Sequence, residues 1–383
     1  MPSHLHAALA QLDVTLAATQ RRLRRGLGRA EEVRLLPYRS WVTPTRCVVL
    51  GRALLADVAL QAHAQRWPRL MRVVHEKFWT LESRPVSVRV TWEGQSSTVM
   101  SDSGGFIDVG FPLSGPPPSA LTRAQMALAE ESQAGAVPVD VFGLHPHAAF
   151  GVISDIDDTV LETELTNPWR RFLQLMYSRE RMRLPFEGIA ALYQALAHPH
   201  NPIFYVSNAP WNLYQHVVEL LDHHEIPRGP LLLRDSRIAE RLVRDEASGQ
   251  VLVHKQRALR RIFEEHPNLS FVLLGDSSRR DPLRYVEIAE AFPGRVAAIY
   301  IRRVHGILAR RGSLDRLEQR ARDAGVELLI ADDTVTIAKH ARSRGFLTSG
   351  EVGQVQEGKA RDEQAPPIEV AAAARATSNE PGG

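Results

Sequence analysis

The spacing of apolar positions along this chain changes character twice. Between residues 33 and 113 the runs "TRCVVLGRAL", "PVSVRVTWEG", "SSTVMSDS" and "GFIDVGF" are short and β-rich, and several alternate apolar with polar at period two. Gly, Ser, Asp and Pro punctuate them, which is the signature of a small sandwich or barrel, and a small all-β, sandwich-like domain is expected. "SDSGGF" supplies the Asp and Gly that a hairpin's left-handed backbone needs. From about residue 138 the apolar runs become continuous: "GVISD", "PIFYVSN", "FVLLGD" and "VAAIYI" each give way to polar or charged residues. Helical stretches lie between them, among them "GIAALYQALA", "NLYQHVVELLDHH" and "KQRALRRIFEEH". Buried β-runs alternating with helices predict an α/β domain with a parallel sheet over residues 138–349. "VELLIADDT" and "VTIAKHARSRGF" form its last unit.

The flanking segments follow other patterns. Within residues 1–32, Leu5, Leu9, Leu12, Leu16 and Leu23 recur at mostly helical spacing, and "QRRLRRGLGR" closes the stretch with five arginines. Such a basic amphipathic helix suits an anionic membrane surface. It equally suits docking on its own domain, with arginines favourable near its C-terminus. "PLSGPPPSA" predicts a stiff linker over residues 114–137. After Gly350 apolar periodicity ceases, and residues 350–383 are expected to be a disordered tail.

Composition narrows the function classes. With 383 residues, 44% of them hydrophobic, the chain can bury one large core or two modest ones. A formal net charge of +3 sets up no strong field, so no nucleic-acid partner is expected. The single cysteine, Cys47, rules out an intramolecular disulfide and a cysteine-based zinc site. The histidines show no metal-ligand spacing such as HExxH. The first twenty residues lack a signal-peptide pattern, and no stretch approaches the ~18 apolar residues of a membrane span, so a cytoplasmic location is expected.

The segment "GVISDIDDTVLET", residues 151–163, places three carboxylates within four positions directly after an apolar run. In an open α/β sheet, ligands bind at the carboxyl ends of the strands. Polar residues gather there: Asp155 and Asp157 after the first strand, Ser207 and Asn208 after the second, Asp276 and Ser277 after another. Carboxylates from two strands in one crevice make a hard-oxygen site for Mg²⁺, which takes only one or two carboxylates beside water and substrate phosphate. The cation offsets a repulsion that would otherwise be costly.

"DIDDT" resembles the DxDxT signature of haloacid-dehalogenase-type phosphatases, and Ser207, Lys255 and "GDSSRRD" follow in the order expected of that superfamily. More narrowly, "VISDIDDTVLETEL", "YVSNAPWNLY", "GPLLLRD" and "LLGDSSRRDPLRYVEIAEAFPGRVAAIYIRRV" are similar to the phosphatidate phosphatase catalytic domain of the actin-patch protein family, which is related to the lipins. The likeness covers roughly residues 145–306, and "LPYRSWVTPTRCVVLGRAL" resembles what precedes that domain in bacterial relatives. It implies a haloacid dehalogenase-like (Rossmannoid) fold for residues 138–349. It also implies Mg²⁺-dependent hydrolysis of phosphatidate, or a related lipid phosphate, to diacylglycerol and phosphate, with peripheral contact at the inner membrane face. By the same resemblance, Asp155 is the nucleophile and Asp157 the general acid and base. Thr159, Ser207, Asn208 and Lys255 hold the phosphoryl oxygens, and Asp155, Asp157, Asp276 and Asp281 form the Mg²⁺ site.

The family pattern is not followed everywhere. Ser278 and Arg279 replace a Gly-Gln pair and Leu283 replaces a Glu, which bears on substrate preference. In "NPWRRFLQLMYSRERMRLPF", residues 167–186, aromatic and apolar groups interleave with arginines where the superfamily often inserts a cap. That mixture suits acyl chains beside a phosphate, or a helix packed on the sheet with solvated arginines. Trp211 and Tyr214 read as pocket residues or as core anchors. Arg234 meets a phosphate or pairs with a carboxylate. His254 tunes Lys255 or is a capping or core histidine. "IADDT" at 330–334 lacks the Asp-x-Asp spacing, so Asp332 and Asp333 are read as strand-end or capping residues. Two other functions compete: a phosphatase for a soluble phosphomonoester, and a non-catalytic phosphatidate-binding module. The retained Asp155–Asp157 pair disfavours the second.

Overall fold

The structure, a computed structural model, describes residues 32–56, 81–82, 85–102, 104–130, 135–156, 187–234, 251–277, 281–303 and 311–364. The chain divides into two compact units. The first comprises residues 1–147, 208–217 and 229–267, and the second comprises residues 148–207, 218–228 and 268–383. The expected N-terminal helix up to residue 31 and the arginine-rich segment 167–186 lie outside the described residues.

Among the described residues of the first unit, eight strands form one sheet: β1 (Glu32–Val42), β2 (Arg46–Ala56), β3 (Leu81–Glu82), β4 (Ser87–Trp92), β5 (Gln95–Met100), β6 (Phe106–Pro112), β7 (Thr122–Leu128) and β8 (Val137–Phe142). Their order is β3-β2-β1-β8-β7-β4-β5, with β6 also paired to β2. Alternation works as predicted: Val88, Val90 and Trp92 of β4 point inward and meet Ile107, Val109 and Phe111 of β6 in one core. Cys47 is buried there, and desolvation, helped by Glu93, pushes its thiol up to about 12, so it is unreactive. In the β5–β6 turn, Asp102 Oδ1 accepts from the Gly104 and Phe106 amides at 2.8 and 2.9 Å. Gly105 adopts φ +80° in that turn, where a Cβ would stand 2.0 Å from the Ala53 carbonyl oxygen.

Of the sandwich and barrel forms open to this domain, the strands take the second, a single nearly closed sheet rather than the sandwich-like form expected, because β1 pairs in parallel with β8 from the far end of the unit. Two boundaries are corrected. The segment read as a linker, 114–137, carries β7, which buries Ala124 and Met126 between β8 and β4. The proline run preceding β7 masked its alternation. With β8, the sheet therefore runs to Phe142, past the expected boundary at 113.

The second sheet consists of β9 (Gly151–Asp155), β10 (Ile203–Pro210), β11 (Leu231–Arg234), β12 (Phe271–Asp276), β13 (Val296–Arg302) and β14 (Leu328–Ala331). It runs in the order β11-β10-β9-β12-β13-β14, and its β9, β10, β12, β13 and β14 pairings are parallel. Strands covered on both faces need apolar residues at every position; accordingly β9 is buried throughout, and β10 and β12 nearly so. The helices are α1 (Ile189–Ala197), α2 (Tyr214–His223), α3 (Val251–Glu265), α4 (Asp281–Ala291), α5 (Arg311–Asp323), α6 (Thr334–Ser343) and α7 (Ser349–Gln364). Helix α7 occupies residues expected to be disordered. Its Val352 and Val355 are buried, and a Cβ at Gly358 would come within 2.6 Å of the Ala191 Cβ on α1. A stripe of only three small or branched residues is too thin to register as periodicity. The remainder of the tail, residues 365–383, is outside the described residues.

Candidate active site

Chain order in the second sheet creates the site. From β9 the chain moves outward through β10 and β11, then returns to lay β12, β13 and β14 on the other side of β9. The strand order reverses between β9 and β12, the place where open α/β sheets leave a crevice at their carboxyl ends. β9 ends on Asp155 and β12 ends on Asp276, in a parallel register that sets Leu274 against Ser154. Each aspartate is only 5% exposed. Ser207 lies on the neighbouring strand β10, one residue beyond the Val206–Asp155 pair, and is buried too.

Two buried phenols stand among these carboxylates. Tyr193 of α1 shares a 2.6 Å hydrogen bond with the Ser154 hydroxyl. Burial raises its pKa to about 12; the Ser154 bond and Arg302 oppose the rise, and Asp155 and Asp276 add to it. Tyr285 of α4 donates to the Leu274 carbonyl at 2.8 Å. It is held well above the ordinary tyrosine range by burial, then by Asp281, Asp155, Tyr193 and Asp276. Both rings therefore stay neutral and add no charge beside the aspartates. Gly275 makes room for Tyr285, since a Cβ there would lie 2.9 Å from the ring and 3.3 Å from the Asp281 Cβ.

Asp281 opens α4, where an acid is favoured by the helix dipole. It is 1% exposed, and its Oδ1 accepts from Arg284 Nη1 at 3.4 Å. Arg302 ends β13 directly opposite Asp276 in the register. Ser154, Tyr193, Tyr285, Arg284 and Arg302 were not foreseen from sequence. Arg302 was recoverable by the strand-end rule that found Asp276, whereas the tyrosines sit on helices and carry no local signal.

The predicted residues thus fall into three groups. Asp155, Ser207, Asp276 and Asp281 belong to the second unit, the first three at strand ends and Asp281 at a helix start. Asn208 and Lys255 belong to the first unit and are buried, at 5% and 3% exposure. Asp157 and Thr159 lie outside the described residues, as do Ser278 and Arg279. Lys255 is the fifth residue of α3 rather than its opening residue, because the helix starts at Val251. Trp211 and Tyr214 are anchors: Trp211 stacks on Tyr38 of β1 and Tyr214 meets it at a tilt of 47°, the Tyr38 centroid lying 4.4 Å from each. Asp333 caps α6 through a 2.7 Å bond from the Thr336 amide, and Asp332 pairs with Arg303 at the strand end.

Two buried carboxylates on adjacent strand ends repel each other in a low dielectric, and Mg²⁺ is satisfied by one or two carboxylates with waters and phosphate. Among the described residues there is no group of three or more His, Cys, Asp or Glu able to hold a metal, and the expected set includes Asp157 beyond them.

Residues 150–303 match the sequence profile of a family described as the phosphatidate phosphatase APP1 catalytic domain. Phosphatidate phosphatase APP1 of Saccharomyces cerevisiae is 27% identical over 155 residues, which are 40% of this chain and 25% of that protein. An uncharacterized protein of Schizosaccharomyces pombe is 25% identical over 155 residues, with the same coverage of both chains. The match therefore spans a quarter of the length of these curated relatives. Among solved structures, a carbohydrate acetylesterase from Xanthomonas citri aligns over 77% of this chain and 75% of its own at 11% identity. Its TM-score of 0.26 is too low to bear on the fold.

Proposed function

We infer, from the match of residues 150–303 to the phosphatidate phosphatase APP1 catalytic-domain family, that this protein hydrolyses phosphatidate or a related lipid phosphomonoester to diacylglycerol and phosphate. The observation that carries the reading is the buried Asp155–Asp276 pair at the switch point of a parallel sheet, inside the matched segment. This arrangement suits a haloacid dehalogenase-like phosphatase. In that reading an oxygen of Asp155 attacks phosphorus, and the bond from phosphorus to the glycerol oxygen breaks. Asp157 gives its proton to the departing alkoxide. It then takes a proton from water, whose oxygen attacks the aspartyl-phosphate and releases inorganic phosphate.

Thr159, Ser207, Asn208 and Lys255 bind the phosphoryl oxygens. Successive side chains of a strand point to opposite faces, and β9 ends at Asp155, before the position of Asp157. Asp155, Asp157, Asp276 and Asp281 would hold Mg²⁺, with Asp281 oriented by Arg284. The bound cation would supply neutralisation of the phosphoryl charge. Among the described residues no helix is long and apolar enough to cross a membrane.

The test is phosphate release from phosphatidate in mixed micelles, with and without Mg²⁺, for the wild type and Asp155→Asn. Metal-dependent release that disappears in the variant is the expected result. Release only from a water-soluble phosphomonoester would discard the lipid substrate and keep the site. Binding of phosphatidate with no release from any phosphoester would discard the enzyme.

A further inference from the structure

The all-β sheet has no role in the chemistry above, yet it is bound by side chains to the segments that carry Asn208 and Lys255, all within the first unit. Arg52 of β2 is 1% exposed. Its Nε donates to the Gly104 carbonyl at 2.8 Å and its Nη1 to Asn212 Oδ1 at 2.8 Å, and its guanidinium lies 4.4 Å from the centroid of Phe106. Asn212 sits in the 3₁₀ turn Trp211–Leu213 that follows β10, four residues beyond Asn208. Aromatic rings hold the same turn: Trp211 stacks on Tyr38 at an interplanar angle of 24° and meets Phe106 edge-on at 5.8 Å. The Tyr214 hydroxyl accepts the Arg39 amide just beyond the turn.

Helix α3 is held similarly. Glu265 accepts from Trp41 Nε1 and Arg46 Nη2, each at 2.8 Å. Arg261 pairs with Asp108 at 2.8 Å and lies 5.0 Å from the Trp41 ring centroid. Burying an arginine costs desolvation that ordinary apolar packing avoids. A planar guanidinium with two directed bonds and a stacked ring, however, defines the position of its partner more narrowly than apolar contact does.

We propose that the β sheet is a positioning element for phosphate binding, with Arg52 and Asn212 setting the path of the chain after Asn208 and with Trp41, Arg46 and Glu265 seating the helix that bears Lys255. The proposal rests on the reading of Asn208 and Lys255 as phosphoryl ligands. Arg52 and Asn212 are positioning residues and touch no substrate themselves.

The experiment uses the full chain with Mg²⁺. Orthovanadate, which mimics a phosphoryl group in transfer, is titrated by calorimetry beside phosphate release from phosphatidate. Asn212→Leu removes the acceptor, and Asn212→Asp keeps one. We expect Asn212→Leu to weaken vanadate binding and lower kcat by about tenfold or more, with KM changed less, as misplacement of a positioned group does, and Asn212→Asp to restore both. A lower melting temperature with unchanged vanadate affinity of the folded protein overturns the proposal. If Asn212→Leu does not fold, Asn212→Ser, whose hydroxyl is too short to reach Arg52, is judged by the same criteria. Vanadate binding weakened by Asn212→Leu and restored by Asn212→Asp, in a protein that releases no phosphate from phosphatidate, supports positioning and overturns the substrate. A wild type that binds no vanadate overturns both.

Discussion

Replacing Glu265 by alanine should be among the costlier single changes in the first unit. The carboxylate is 8% exposed at its side chain and takes three donors: Trp41 Nε1 at 2.8 Å, Arg46 Nη2 at 2.8 Å and Arg261 Nε at 2.9 Å. These donors do not suffer equally when it is removed. Trp41 is 1% exposed, so its indole N–H would be stranded away from water, at a cost of about 2 kcal/mol. Arg46 and Arg261 are 49% and 32% exposed and can regain water, and Arg261 keeps Asp108, so each lost pair costs at most about 0.5 kcal/mol. The sum is about 3 kcal/mol. Glu265→Gln retains an acceptor for the indole and should cost only about 1 kcal/mol. Guanidinium unfolding followed by tryptophan fluorescence measures both. In the alanine background, Trp41→Phe should cost about 1–2 kcal/mol less than in the wild type, because its donor is already stranded. Equal penalties for the alanine and glutamine variants, or a zero coupling with Trp41, would refute this account of what seats α3 on the sheet.

Two other expectations follow from single contacts. Tyr193→Phe loses the Ser154 bond and should cost about 1 kcal/mol near neutral pH. The native phenol is raised to about 12, so its contribution to stability is complete below the unfolded value of about 10 and is lost as pH rises toward 12. The gap between wild type and variant should therefore narrow on the alkaline side in pH-dependent unfolding, and a constant gap would count against the buried, protonated ring. Asp333→Ala removes the α6 cap and should cost about 1 kcal/mol by denaturant melt while leaving phosphate release unchanged. A loss of turnover there would mean that "IADDT" belongs to the chemistry.

Local pattern determined a large part of this protein. Continuous apolar runs at 151–155 and 271–276 signalled buried strands, and the strands end on the aspartates that the sequence placed there. The capping role of Asp333 was likewise readable from four neighbouring residues, as was the Asp102 turn. These features depend on backbone conformation and burial within a few positions, and a sequence displays such information directly.

The tertiary structure decided what depends on partners distant along the chain. The alternation in β4 and β6 showed which side chains face inward and left sandwich and barrel open, and the pairing of β1 with β8 decided for one nearly closed sheet. Thr122–Leu128 became a strand because β8 and β4 offered edges to it, against the reading its proline-rich approach invited. Tyr193 and Tyr285 joined the carboxylates only when α1 and α4 packed against the sheet. Glu265 and Asn212 look like solvated polar residues in sequence; each is a junction because Trp41 and Arg52 reach it from more than 150 residues away. Periodicity reports which face of an element leaves water, and only complementarity between distant surfaces determines what that face meets.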